Sequence, residues 1–245
     1  MAPLDIVVFA PHPDDAELCC GGLLLKARKA GLKVGVVDVT RAEMSTRGTL
    51  ATRAKETGAA SRILKLAARE NLKLPDGHLH DDERLRCALV KVLRKYRPAL
   101  LLAPHWEDQH PDHAAVGQAS LYAAWLSGAA KYDAASARGV AAKDKLPYRP
   151  RQVLHYNNRY GIQANVVIDV SAEMDEKVEL VKCFATQFGP GDKKSDGPQT
   201  RLSQGHFFEW LRGMHAFYGY QGGVKYGEAY CVKGPLRIDA IRAML

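Results

Sequence analysis

Apolar residues along the chain form short continuous runs that alternate with longer amphipathic segments. The run at residues 4–10 is apolar almost throughout, which is typical of a parallel strand buried on both faces of a sheet. The pattern predicts strands at residues 4–10, 33–40, within 70–77, and at 99–103, 153–156 and 166–170.

Helical periodicity fills the segments between these runs. It predicts helices at residues 16–30, 52–66, 82–96, 111–126, 171–186 and 203–218. Gly31 follows the first helix as a C-terminal stop, and Pro111 suits the first position of the fourth. Residues 128–150 and 189–198 are expected to form loops. The alternation predicts one doubly wound, Rossmann-like α/β domain with a mainly parallel sheet over residues 1–245.

This architecture makes a prediction about position. In the common doubly wound order the first and fourth strands are neighbours, and ligands bind at their carboxyl ends. The loop after the first strand reads PHPDDAE, and the loop after the fourth reads PHWEDQHPDH. The two densest His/Asp clusters of the sequence are therefore expected to meet.

These clusters contain the donor atoms of a metal site. His12, Asp14 and Asp15 lie on a turn where successive side chains point apart, whereas His110 and His113 are three apart on a helix and share a face. One His and one Asp from the first loop with one His from the second would leave an open coordination position, as in catalytic zinc sites. The same donors also suit Fe²⁺.

Each of these residues also has a purely structural interpretation. Asp14, Asp15 or His110 could cap the helix that follows, and His113 could be a core histidine. Three further histidines have no second partner at ligand spacing and are interpreted as structural: His78, His80 and His105. The full set is much more specific than any member, and consists of His12, Asp14, Asp15, His110, Asp112 and His113.

Composition narrows the class of partner. The 245 residues are 47% apolar and carry a net charge of +8, but the basic residues are scattered singly or in pairs. That distribution does not favour nucleic-acid binding, whereas an anionic small substrate fits it. Five cysteines without a C-x-x-C pair are expected to be reduced thiols in a cytoplasmic protein. The first ten residues lack the features of a signal peptide or a membrane span.

The motifs resemble those of a known family. HPDD followed by Gly21-Gly22, with HPDH about a hundred residues later, is similar to the PIG-L/LmbE-like family of metal-dependent N-acetylglucosamine deacetylases. The segments EMSTRGTLATRAKETGAASRIL, LKLPDGHL, TQF and GVKYGEAYCVKGPL resemble the members of this family that act in bacillithiol biosynthesis on N-acetylglucosaminyl malate. Together these motifs span nearly the whole chain apart from residues 128–150.

The resemblance implies a role for each matching residue. His12, Asp15 and His113 would bind Zn²⁺, and Asp14 would be the general base. His110 would stabilise the tetrahedral intermediate, with Asp112 orienting its imidazole. Two further residues would contact the substrate, Arg53 and Gln187. Related enzymes are often homo-oligomers, so a homo-oligomer is expected here too.

Two departures from the family pattern fall on loops that shape the pocket. Ala42 and Ser45 stand where the family segment usually has glycine, and Gln109 stands where this subgroup commonly has Arg. Three alternatives stay open: hydrolysis of another GlcNAc sugar or a thiol conjugate, hydrolysis of another amide or a phosphoester, and a non-enzymatic basic nucleic-acid-binding protein. A two-metal phosphoesterase would need more carboxylates than the two loops supply. For Arg53, the structural interpretation is pairing with Glu56 or exposure to solvent.

Overall fold

A computed structural model describes residues 3–132, 146–156, 163–189 and 197–236 of the chain. The strands are β1 (Ile6–Ala10), β2 (Val34–Asp38), β3 (Ala68–Asn71), β4 (Leu100–Pro104), β5 (Gln152–Tyr156), β6 (Val166–Asp169) and β7 (Gly227–Cys231). The helices are α1 (Asp15–Lys29), α2 (Leu50–Leu64), α3 (Glu83–Tyr96), α4 (Pro111–Leu126), α5 (Met174–Lys182) and α6 (Phe207–Gly222).

All seven strands belong to one sheet, in the order β3-β2-β1-β4-β5-β7-β6. The pairs among β1 to β5 are parallel, and β7 runs antiparallel between β5 and β6. Strand β1 lies beside β4, with Ile6 opposite Leu100. The predicted doubly wound, mainly parallel α/β fold is confirmed, and so is the adjacency of the first and fourth strands.

Both faces of the sheet are covered by helices. Ile6 and Val8 of β1 pack into a core formed with α1, α2, α5 and α6, whereas Val7 and Phe9 pack against α3 and α4. All five residues of β1 are buried, which explains why its sequence shows no alternation of apolar and polar positions.

One prediction about the sheet is wrong, and one strand was missed. The third strand, predicted within residues 70–77, spans Ala68–Asn71 instead, because it is an edge strand whose side chains are polar and only half buried. Arg69, for instance, forms two hydrogen bonds to Asp38. Strand β7 was not predicted, since Gly and Glu at its start are poor strand formers, yet all five of its residues are buried.

Helix boundaries differ from the prediction by a few residues. Helix α2 begins at Leu50 because the Thr49 side chain accepts a hydrogen bond from the Thr52 backbone N–H. Helix α5 is shorter than predicted, and α6 begins and ends four residues later. The predicted loops at 128–150 and 189–198 lie partly outside the described residues.

A buried ionic network ties α1 to β7. The Glu228 carboxylate accepts hydrogen bonds from the Gly22 and Leu23 backbone N–H groups, at 2.6 and 2.8 Å. Lys177 of α5 has no exposed surface, and its Nζ lies 2.6 Å from Glu228 Oε1 and 2.7 Å from His215 Nε2. The helix that begins at Asp15 is therefore fixed to the far end of the sheet by charge as well as by packing.

Two predictions from the sequence concern the state of the cysteines and membrane-spanning segments. The five cysteines are all free thiols, as expected. Across the described ranges, every helix is too short or too polar to cross a membrane.

Candidate metal centre and active site

The two His/Asp loops meet at the carboxyl ends of β1 and β4. His12 and Asp14 precede α1, and Asp15 is its first residue. On the other side, His110 is the N-cap residue of α4, and Asp112 and His113 lie in its first turn. The structure thus brings together all six residues of the set that the sequence pattern singled out.

Three donor atoms form a nearly equilateral triangle. His12 Nδ1 lies 3.3 Å from Asp15 Oδ2, His113 Nε2 lies 3.2 Å from the same oxygen, and the two nitrogens are 3.3 Å apart. Zn²⁺ binds such ligands at about 2.0–2.1 Å, and tetrahedral geometry then separates any two of them by about 3.3 Å. The spacing and chemistry of this donor set therefore fit one small divalent cation. Another combination that could hold an ion comprises His12, His110 and Asp112.

The outer nitrogen of each imidazole faces a carboxylate. His12 Nε2 lies 3.0 Å from Asp76 Oδ1, and His113 Nδ1 lies 3.6 Å from Asp108 Oδ2. A carboxylate behind a ligating imidazole fixes the tautomer that directs a lone pair at the metal. The sequence interpretation missed Asp76 and Asp108, although both lie in motifs already noted, LKLPDGHL and PHWEDQHPDH.

The electrostatics of the triangle favour positive charge at its centre. Burial disfavours a charged His113, but Asp15 and Asp108 outweigh it and raise the pKa of His113 to about 9. Burial alone would raise the pKa of Asp15, yet His113 and His12 hold it well below its usual range. The acidic groups around the two imidazoles therefore suit a positive charge, such as that of a divalent cation, at the centre of the triangle.

Asp14 has a different environment from its neighbour. Its backbone adopts φ 155° and ψ −22°, outside the regions that L-residues favour, and its side chain makes no capping hydrogen bond. Burial raises the pKa of Asp14 to about 6, against the opposing attraction of Arg53. Asp14 and Asp15 therefore occupy different sites, as the turn predicted, and the structural interpretation of Asp14 as a cap does not hold.

Arg53 is buried and holds Asp14 in place. Its Nη1 donates to Asp14 Oδ2 at 2.5 Å and to the Pro13 carbonyl oxygen at 2.8 Å, while Nη2 donates to Ser45 Oγ at 3.0 Å. The interpretation of Arg53 as a partner of Glu56 or a solvated side chain is wrong. Glu56 instead accepts hydrogen bonds from the backbone N–H and hydroxyl of Thr186.

His110 and Asp112 are linked through the backbone. His110 Nδ1 accepts a hydrogen bond from the Asp112 N–H at 3.2 Å, so His110 does cap α4. The Asp112 carboxylate accepts from the Gly77 and Leu79 N–H groups and lies 3.4 Å from His12 Nε2. The described contact that orients His110 is therefore the Asp112 amide rather than its carboxylate. Partial burial lowers the pKa of His110, with smaller contributions from the neighbouring histidines.

Gln187 forms hydrogen bonds with the loop before α2. Its Oε1 accepts a hydrogen bond from Ser45 Oγ, and its Nε2 donates to the Arg47 carbonyl oxygen and to Thr186 Oγ1. Ser45 in turn accepts from Arg53, so Gln187 connects to Arg53 through one hydroxyl. In the same loop Ala42 has φ 54°, a left-handed conformation that glycine adopts without steric strain. That conformation explains why a glycine suits this position.

A cavity of about 610 Å³ opens beside His110. Its wall includes Gln109 and, from the segment leading into α6, Arg201 and His206. A cavity of this size accommodates a small ligand next to the metal triangle.

The sequence profile of the GlcNAc-PI de-N-acetylase (PIG-L) family matches residues 7–124, which contain both His/Asp loops. The chain belongs to the PIG-L family. Two of the three relatives described next are named as deacetylases, which supports a hydrolytic N-deacetylase activity.

Three known proteins are similar to this PIG-L protein over most of its length. A conserved protein of Thermus thermophilus has a crystal structure that superposes with a TM-score of 0.81, at 35% identity over 96% of both chains. The diacetylchitobiose deacetylase of Thermococcus kodakarensis is 26% identical over 91% of this chain and 80% of its own. A probable N-acetyl-alpha-D-glucosaminyl L-malate deacetylase 2 of Bacillus subtilis is 26% identical over 74% of this chain and 82% of its own.

Proposed function

We propose that this PIG-L protein is a zinc-dependent deacetylase of a GlcNAc conjugate with an acidic aglycone, N-acetyl-alpha-D-glucosaminyl L-malate of bacillithiol biosynthesis. The donor triangle of His12, Asp15 and His113 carries the proposal, because its edges match a tetrahedral ion. When bound, the ion would polarise the acetyl carbonyl and lower the pKa of the attacking water.

The protein groups around the triangle supply the proton transfers. Asp14 would accept the proton of the attacking water and return it to the leaving amine as the C–N bond breaks. Arg53 engages Oδ2 of this carboxylate and holds it in one orientation. His110, exposed at the cavity and with its Nδ1 already accepting a hydrogen bond, would direct Nε2 at the developing oxyanion.

Metal content tests the ligand assignment. Protein purified without added metal should contain about one zinc per chain by elemental analysis, and His113→Ala should lose it. If the protein contains iron instead of zinc, the assignment of the ligands stands and the assignment of the metal is wrong. Full metal content in His113→Ala would contradict the assignment.

The acidic aglycone is supported by one guanidinium on the wall of the cavity beside His110. Arg201 lines this cavity, and a guanidinium binds a carboxylate in fixed geometry. Similarity to a diacetylchitobiose deacetylase favours a second candidate, an uncharged chitobiose substrate. The malate conjugate would need Arg201 to bind its carboxylates, whereas the uncharged substrate would not.

An amine-release assay separates these substrates. We expect wild-type kcat/KM to be highest on N-acetylglucosaminyl malate and lower on diacetylchitobiose and GlcNAc, with all three abolished by a chelator. Arg201→Gln should reduce kcat/KM on the malate conjugate by about tenfold and leave the uncharged substrates unchanged. If the wild-type enzyme prefers diacetylchitobiose, the deacetylase activity stands and the assignment of the malate conjugate as substrate is refuted.

We also propose a cytoplasmic location and a homo-oligomeric state. The five free thiols suit a reducing compartment. Light scattering after size exclusion would measure the oligomeric state, and a monomer mass would contradict the second proposal.

A further inference from the structure

A second cavity, of about 430 Å³, lies between α2 and the carboxyl ends of β2 and β3. Its α2 wall is made of small residues on one helical face, including Ala54, Thr57, Gly58 and Ser61. Of these side chains, Ser61 meets β3, where its Oγ lies 3.5 Å from Arg69 Nη1, and an open space remains beside the rest of this helical face. The cavity is lined by Pro13 and Arg53 and not by the three residues of the metal triangle.

The rim of the cavity carries two cations without a counter-ion. Arg41 and Lys73 are both exposed and line the opening. Throughout the described part of the chain, neither side chain has a hydrogen-bond or ion-pair partner. Two unpaired cations at one opening attract an anion, and a bound anion would gain a charge-assisted hydrogen bond from each.

The other charges of the cavity are already paired. Arg69 binds Asp38 and Glu17, and Arg53 binds Asp14. Glu70, an acid on the wall, accepts hydrogen bonds from Lys95 Nζ and Tyr96 OH. The acidic groups of the wall thus have cationic partners within the protein, whereas the rim cations have no acidic partner among the described residues.

The remaining wall is polar at Thr57, Ser61 and Asn71 and apolar around Leu50. Leu50 is 44% exposed although it is a large hydrophobic residue, and it lines this cavity together with Pro13 and Ala54. An occupant with an apolar body would cover Leu50 while its charged end met the rim. We propose that this cavity is a second ligand site, for a small organic anion with an apolar body, distinct from the deacetylase centre. The proposal does not depend on the substrate proposed above.

Phenyl phosphate is a suitable probe, because it combines an anionic end with a ring that matches the apolar wall. Isothermal titration should detect its binding to the wild-type protein, with and without EDTA, whereas uncharged phenol should bind at least about tenfold more weakly. Binding of phenol as tight as that of phenyl phosphate would overturn the anionic character of the site. Binding abolished by EDTA would assign the probe to the metal centre and overturn the proposal.

Gly58→Leu adds apolar volume at the cavity wall, and its Cβ would meet only Arg62 Nη1, at an ordinary 3.6 Å. Leucine also favours the helix, so the variant should fold. Gly213→Leu in α6 is the matched control, because its Cβ would meet nothing within 4 Å. We expect Gly58→Leu and the double variant Arg41→Ala/Lys73→Ala each to weaken binding by at least about tenfold, and Gly213→Leu to leave it unchanged. Unchanged affinity in both cavity variants would refute the site.

Discussion

Replacing Lys177 by methionine tests the ionic network behind the active site. Methionine retains most of the aliphatic stem, so the main change is loss of the ammonium group between Glu228 and His215. The Glu228 carboxylate would then be buried without a counter-charge, holding only the hydrogen bonds from Gly22, Leu23 and the Tyr230 hydroxyl.

The expected loss of stability follows from burial. Removing one partner of a buried ion pair costs about 3–5 kcal/mol. Three donors remain on Glu228 and partly stabilise its charge, which places Lys177→Met near the lower end, at about 3 kcal/mol. For a chain of this length the loss corresponds to a decrease in Tm of about 6–12 °C.

Urea unfolding followed by far-UV circular dichroism measures this difference, provided that the m-value is unchanged. The double variant Lys177→Met/Glu228→Gln removes the orphaned charge and should recover at least about half of the loss. A single variant within about 1 kcal/mol of wild type would refute the reasoning. A double variant no more stable than the single one would show that the unpaired carboxylate is not the cause.

The site and its support can be tested in four further ways. Burial, aided by Lys177, lowers the pKa of His215 to about 4, so the unfolded chain binds the extra proton between pH 6.5 and 4; the change in unfolding free energy across this window should differ between wild type and His215→Gln by about 3 kcal/mol, with the wild type losing more stability as pH decreases. Asp14→Asn should keep its metal by elemental analysis and lose about a hundred- to ten-thousandfold in kcat, and near-native turnover would remove Asp14 from the mechanism. Arg53→Ala should reduce kcat alike on charged and uncharged substrates, because the guanidinium binds Asp14; a loss confined to the malate conjugate would make Arg53 an aglycone contact instead. Asp76→Asn should weaken zinc affinity by about 10- to 100-fold in a chelator competition, and unchanged affinity would show that Asp76 does not support His12.

The sequence predicted best what depends on topology. Once β1 and β4 are recognised as neighbours, the adjacency of His12 and His113 follows, although a hundred residues separate them. Strand β1 could be recognised because its apolar run is buried on both faces.

Features that depend on a single contact between distant residues could not be predicted from the sequence. Asp76 and Asp108 are isolated acids in loops, and no periodicity shows that they face the outer nitrogens of two histidines. The helical spacing of Arg53 and Glu56 suggested a local pair, whereas each binds a residue on another segment. Strand β7 was missed because the partners of the buried Glu228 are distant in sequence, among them Lys177, which lies 51 positions earlier.

The link between α1 and Glu228 also bears on whether the chain can be divided. The family profile ends at residue 124, yet the backbone of the helix that begins with Asp15 is held by a carboxylate far beyond that point. An added Cβ at Gly22 would lie within 3 Å of both Val170 and Glu228, so this helix is shaped to surfaces that the profile does not contain. A fragment trimmed to the profile would keep every proposed metal ligand and lose the partner surface of the helix that carries one of them. The segment that the profile matches thus contains the proposed metal ligands, whereas the surfaces that hold the helix of Asp15 in place extend to β7.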